Sequence, residues 1–135
     1  EGSAQYNLSA GLLNTDGYRD HSAAKRQNIN GKFKFSLSDD TTLSLVINQI
    51  DMPSVQDPLG LTRAEMEANP RQATAVAYSY NTRKSVAQGQ VGAVLDHRIS
   101  GDLKLLLTAY GGERSTQQFQ SIASAAQTAW AASSR

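Results

Sequence analysis

The sequence predicts an all-β fold, an antiparallel up-and-down meander of about five strands. Three observations predict it. Apolar and polar residues alternate with period two over long stretches, and short turn signals alternate with long polar loops along the chain. No run of consecutive apolar residues approaches the roughly 18 residues of a helical membrane span.

Each strand can be justified in turn. Residues 5–14 place Tyr6, Leu8, Ala10 and Leu12 on one face, and the polar loop TDGYRDHSA follows. Residues 25–37, KRQNINGKFKFSL, carry the clearest pattern. Ile29, Gly31, Phe33, Phe35 and Leu37 share one face, against Asn28, Asn30, Lys32, Lys34 and Ser36 on the other. Ser38-Asp39-Asp40-Thr41 reads as a tight turn, because an Asp carboxylate accepts from nearby backbone N–H groups. The third strand, residues 42–50, sets Leu43, Leu45 and Ile47 against Ser44, Val46 and Asn48. After a long insertion, residues 84–98 set Gly89, Val91, Ala93 and Leu95 against Gln88, Gln90, Gly92 and Asp96. Ser100-Gly101 marks a second tight turn over 99–102. The fifth strand, 103–113, puts Leu103, Leu105, Leu107 and Ala109 opposite Lys104, Leu106, Thr108 and Tyr110.

The insertion, residues 51–83, has signals of its own. Asp57-Pro58 starts a turn, and Thr62-Arg63-Ala64-Glu65 is a capping box ahead of a short helix over 63–68. Asn69-Pro70 stops that helix, since the residue before proline leaves the α region. The alternation in 73–80 predicts an extra strand. From Ser115 onward no strand period is evident, so residues 1–119 read as the structured segment. Residues 120–135 read as an Ala/Ser-rich tail, mobile or part of a loop, with Trp130 either in that tail or at a membrane interface.

Composition narrows the function classes. The 135 residues suit a single domain, and a net charge of +1 from well-mixed charges leaves no footprint for nucleic acid. The absence of cysteine removes disulfides and thiolate metal sites. Glu1-Gly-Ser-Ala-Gln has neither the basic start nor the apolar centre of an export signal, which predicts that any such signal lies outside this sequence. Apolar content of 39%, much of it Ala, is lean for a self-sufficient core and predicts a strand-rich piece of something larger. Strands of this length joined by short turns at one end and long loops at the other predict a partial transmembrane β-barrel, apolar face to lipid and polar face inward. The competing expectation is a soluble β-rich binding or adhesion module that self-associates through its apolar sheet face.

Three segments, TDGYRDHSAAKRQN, LSDDTTLSLVIN and DPLGLTRAEMEANPRQA, occur in an order that resembles the barrel domain of bacterial TonB-dependent outer-membrane receptors. The resemblance covers residues 6–119, most of the chain. It implies an internal fragment of a transporter for ferric siderophores or a similar scarce nutrient in a Gram-negative outer membrane, in contact with outer-membrane lipid. In the family a plug domain couples the barrel to the periplasmic TonB complex, and no plug is present in these 135 residues. The resemblance places Tyr18, Arg19, His21, Arg63, Arg71, Arg114 and Gln118 at the extracellular end. There guanidinium groups would meet an anionic chelate, and isolated loop charges or local pairs such as Arg19–Asp20 and Arg63–Glu67 are the plainer reading. It implies no cofactor of the protein's own.

No catalytic or metal pattern emerges. His21 and His97 stand alone, no serine has a nucleophile-elbow setting, and Gly111-Gly112 opens no phosphate loop. The expectation is a protein that is not an enzyme.

Overall fold

The structure is a computed structural model and describes residues 3–121. The chain forms one five-stranded sheet in the order β1-β2-β3-β4-β5, so each strand pairs antiparallel with the next. The strands are β1 (Ala4–Thr15), β2 (Ala24–Ser38), β3 (Thr41–Gln56), β4 (Arg83–Arg98) and β5 (Lys104–Phe119). Two short helices, α1 (Arg63–Ala68) and α2 (Ala75–Tyr80), interrupt the β3–β4 connection. The fold is an all-β antiparallel meander.

The hydrogen-bond register aligns the alternation of one strand with that of the next. Tyr6 lies opposite Phe33, Phe33 opposite Leu45, Leu45 opposite Ala93 and Ala93 opposite Ala109. The row beside it runs Ala4, Phe35, Leu43, Leu95 and Leu107, and the next runs Leu8, Gly31, Ile47, Val91 and Gly111. Side chains two residues apart share a face, so these rows form one apolar band across all five strands. The intervening rows are mostly polar, with Val46, Val94 and Leu106 among them. Ser9, Asn30, Asn48 and Gln90 share one of them, with Asn48 Nδ2 donating to Asn30 Oδ1 at 2.9 Å and Asn30 Nδ2 donating to Ser9 Oγ at 3.3 Å.

No second layer covers either face among the described residues. Tyr6 is 77% exposed and Leu12 85%, and all sixteen residues of β5 are exposed. The buried hydrophobic residues are Ala73, Ala77 and Val86, and the buried polar one is Thr82. All four belong to the β3–β4 loop or the start of β4, and Gly31 is the buried residue in the middle of the sheet.

The connections have the expected polarity. A hairpin turning on Asp39 and Asp40 and a short turn over 99–103 sit at one end of the sheet. The loops 16–23 and 57–82 sit at the other. At the short end, Arg98 holds the first turn by donating from Nε to Asp40 Oδ1 at 2.8 Å, and Lys104 pairs with Asp96 at 2.8 Å.

Three elements depart from the sequence reading. Residues 73–80 are not a strand: α2 forms there because Thr74 caps it, accepting from Ala77 N at 3.2 Å, and Asn81 closes it in the left-handed region at φ 46°. The loop therefore carries two helices rather than one. β3 continues past Ile50 to Gln56 because a register shift between Met52 and Val55 absorbs Pro53, which has no N–H to give a ladder. β5 continues past Glu113 to Phe119, since β4 pairs with it as far as Arg83–Phe119 and satisfies its backbone whatever its side chains are. Trp130 and most of the expected tail lie outside the described residues.

A sheet with an apolar band open on one face cannot be stable alone in water. Without detergent or lipid the chain is expected to be oligomeric or aggregated in sedimentation velocity. A monodisperse monomer with cooperative unfolding would contradict this.

Candidate functional site

The polar chemistry of the chain converges where loop 16–23 meets loop 57–82. Loop 16–23 is shaped locally. Gly17 takes φ +79°, and the Ser22 carbonyl and hydroxyl occupy the place a side chain would need there. Thr15 Oγ1 accepts from Gly17 N at 3.0 Å, Ser22 Oγ accepts from Arg19 N at 3.1 Å, and the Ser22 hydroxyl donates back to the Arg19 carbonyl. This turn directs Arg19 and His21 toward the longer loop.

Arg19 grips that loop by its backbone. Its Nη1 donates to Leu59 O at 2.7 Å, its Nη2 to Gln72 O at 2.8 Å and Pro58 O at 3.2 Å, and its Nε to Gln72 O at 3.0 Å. A guanidinium offers five donors in a rigid fork and no acceptor, which suits a ring of carbonyls. Beside it Asp20 N donates to Arg71 O at 2.7 Å. His21 takes φ 53° and brings Nε2 within 2.9 Å of Thr82 O, so that nitrogen carries the proton and donates.

Thr82, 1% exposed, anchors the foot of the loop. Its hydroxyl donates to Asp57 O at 2.6 Å and its carbonyl accepts from Asp57 N at 3.0 Å. Gln56 N donates to Ala23 O at 2.9 Å, and Gln56 Oε1 accepts from Ala23 N at 3.1 Å, joining the two loops at the sheet. No buried side-chain polar atom among the described residues lacks a partner.

The residues expected to meet a ligand divide into groups. Tyr18, Arg19, His21 and Arg71 come together: the Arg71 guanidinium lies 5.3 Å from the centre of the Tyr18 ring, and the His21 ring lies 5.5 Å from that of Tyr78. Arg19 makes these backbone bonds rather than a local pair with Asp20. Arg63 stands apart on α1, paired with Glu67 at 2.9 Å and well exposed. Arg114 and Gln118 lie on β5, opposite Gln88 and Lys84. Arg114 also borders a depression of about 660 Å³ across the sheet near the loop end, lined in part by Leu12, Ile29, Asp51 and Glu113. Among the described residues no group of three or more His, Cys, Asp or Glu side chains could hold a metal ion.

Thr82 and Tyr78 escaped the sequence reading. A threonine just before a strand has no signature of burial, and Tyr78 falls in a stretch whose alternation reads as extended. The capping box is as the sequence predicts: Glu65 N donates to Thr62 Oγ1 at 3.3 Å, and Glu65 Oε2 accepts from Thr62 N and Oγ1, both at 2.8 Å.

No family model matches this sequence. No helix among the described residues is long and apolar enough to cross a membrane, which leaves a β-barrel crossing untouched.

The Thr62 amide, and then its hydroxyl, hold the Glu65 carboxyl below its ordinary value. A lowered folded-state value means that the cap's contribution is complete above the ordinary carboxylate range. It is lost as pH falls through the lowered value. Nuclear magnetic resonance titration should show α1 fraying only below the ordinary Glu range, and Glu65→Gln should remove the pH dependence. Thr82→Val keeps the shape but leaves the Asp57 carbonyl without the hydroxyl donor, at a cost of about 1–3 kcal/mol. Native-state hydrogen exchange at Asp57 and Gln56 reads that cost directly.

Proposed function

We propose that this chain forms part of the wall of an outer-membrane transport barrel of the TonB-dependent receptor type, with loops 16–23 and 57–82 at its ligand-facing end. The observation that carries the reading is the alignment of the five apolar faces on one side of a single-layer sheet. On β2 the apolar row from Ile29 to Leu37 spans about 26 Å at roughly 3.3 Å per residue, or about 20 Å across a bilayer once the strand tilts. That is close to the roughly 25 Å apolar band of such barrels.

Two further observations support it. The segments that carry the family resemblance include TDGYRDHS and DPLGLTRAEMEANPRQA, far apart in sequence, and Arg19 and Asp20 of the first bond to the Pro58, Leu59, Arg71 and Gln72 carbonyls of the second. The strand directions also matter. In an antiparallel five-stranded meander β1 and β5 run the same way, so an all-antiparallel closed barrel needs an odd number of further strands between them. Copies joined edge to edge with antiparallel seams would put long loops at both ends, which favours strands of other sequence over self-closure. The ligand class, a ferric siderophore or a similar scarce nutrient, and the coupling partner follow from the resemblance.

The natural absence of cysteine makes a labelling test clean. Leu45→Cys, Val46→Cys, Ile47→Cys and Asn48→Cys are each introduced into the chain within its assembled outer-membrane barrel, in native membrane vesicles. A water-soluble thiol reagent should modify positions 46 and 48, and a lipid-dissolved quencher should reach labels at 45 and 47. Equal water accessibility at all four positions would refute the wall reading. Protection of 45 and 47 in a discrete oligomer without lipid would favour the self-associating module instead.

A further inference from the structure

We propose that Arg19 is the latch of a lid, the segment 60–71 that carries α1, and that this lid opens as a unit while the rest of the loop stays docked. The inference does not depend on the transport reading. It rests on how the hydrogen bonds of loop 57–82 divide.

One set belongs to the base. Thr82 and Asp57 bond to each other twice, His21 Nε2 donates to Thr82 O, and Gln56 and Ala23 tie the base to the neighbouring strand. Ala77 and Thr82, both buried, belong to this part, and none of these bonds uses the Arg19 side chain.

The other set belongs to the lid. Residues 62–70 are exposed, and α1 has no buried residue. Among themselves they make the capping box, the Arg63–Glu67 pair and the bond from Asn69 N to Glu65 O at 2.9 Å, and the foot residue Gln72 adds a bond from Nε2 to Glu65 O at 2.6 Å. The segment thus holds its own shape but borrows its position. Its two feet, Leu59 and Gln72, are gripped by the same guanidinium, with Asp20 N on Arg71 O beside it. Leu59 stands at φ 57°, a backbone setting unusual for a leucine, at the foot where a hinge is needed. A backbone bond from Thr74 N to Pro58 O at 3.3 Å closes the loop just below the feet, and the one planar cation above it grips Leu59 and Gln72 together. A lysine in its place carries all its donors on one nitrogen and cannot span carbonyls that the guanidinium reaches from three separate nitrogens.

The test uses the full chain in detergent micelles. In the unaltered protein, hydrogen exchange should show the amides of Met66 and Asn69 opening together. That opening should lie well below the protection of the Gln56 and Asp57 amides. One common rate for both sets would overturn the lid without any variant. In Arg19→Lys, trypsin cleavage after Arg63 should rise about tenfold or more, as expected for loss of several charge-assisted bonds. The Gln56 and Asp57 amides should keep their protection. Unchanged cleavage would overturn the latch, and so would loss of base protection together with the lid. Thr82→Val supplies the contrast, since it should loosen the base amides, which Arg19→Lys leaves alone.

Discussion

The structure depends on one constraint: a single antiparallel sheet must satisfy the backbone of five long strands with nothing packed on either face among the described residues. Hydrogen bonds between neighbours meet that requirement from β1 to β5. They leave the hydrophobic effect without an internal outlet, because stacked layers normally bury the apolar face of a sheet. Here the apolar rows through Phe33, Leu45 and Leu95 are continuous across the sheet, so the burial they require has to come from outside these strands. Their uniform placement on one side makes the requirement directional. The opposite face, with its Asn30–Asn48 bond and its Lys32 and Lys34, needs water or a polar surface.

The loop end obeys different physics. α1 and α2 are too short to be stable as isolated helices, and little apolar area holds the long loop down. Charge and backbone carbonyls take over that role. Arg19 is the only residue of loop 16–23 whose side chain reaches both Leu59 and Gln72. Thr82 closes the foot with a hydroxyl and a carbonyl directed at the same partner, Asp57. A small number of directional bonds can order a loop in this way, because most of the entropy cost is already met by internal caps and turns.

What was legible in the sequence was what is local or strictly periodic. The face of every strand could be read because alternation is enforced residue by residue, and the capping box because both its partners lie within four positions. The strand ends were less legible. The alternation gives no sign that β3 runs on past Pro53 through a register shift, and the polar stretch from Ser115 to Phe119 is a strand only because β4 lies beside it. α2 was hidden because Val76, Tyr78 and Tyr80 alternate with small residues and so mimic a strand. The role of Arg19 was invisible for a deeper reason. Its acceptors are backbone carbonyls, and carbonyls have no residue identity to read.

That last point changes which residues of the loop end remain available for recognition. The Arg19 guanidinium makes four bonds to backbone oxygens, and His21 donates to Thr82. Arg71 is arranged the other way round. Its amide donates to Asn69 Oδ1 at 3.0 Å and its carbonyl accepts from Asp20, so its backbone is fixed while its side chain lies over the exposed ring of Tyr18. A guanidinium resting on an aromatic face keeps its charge and its in-plane donors directed outward. An anionic group approaching this end would therefore meet Arg71 already placed, with less ordering left to do on binding. Arg19 sets that placement by fixing the foot on which Arg71 stands.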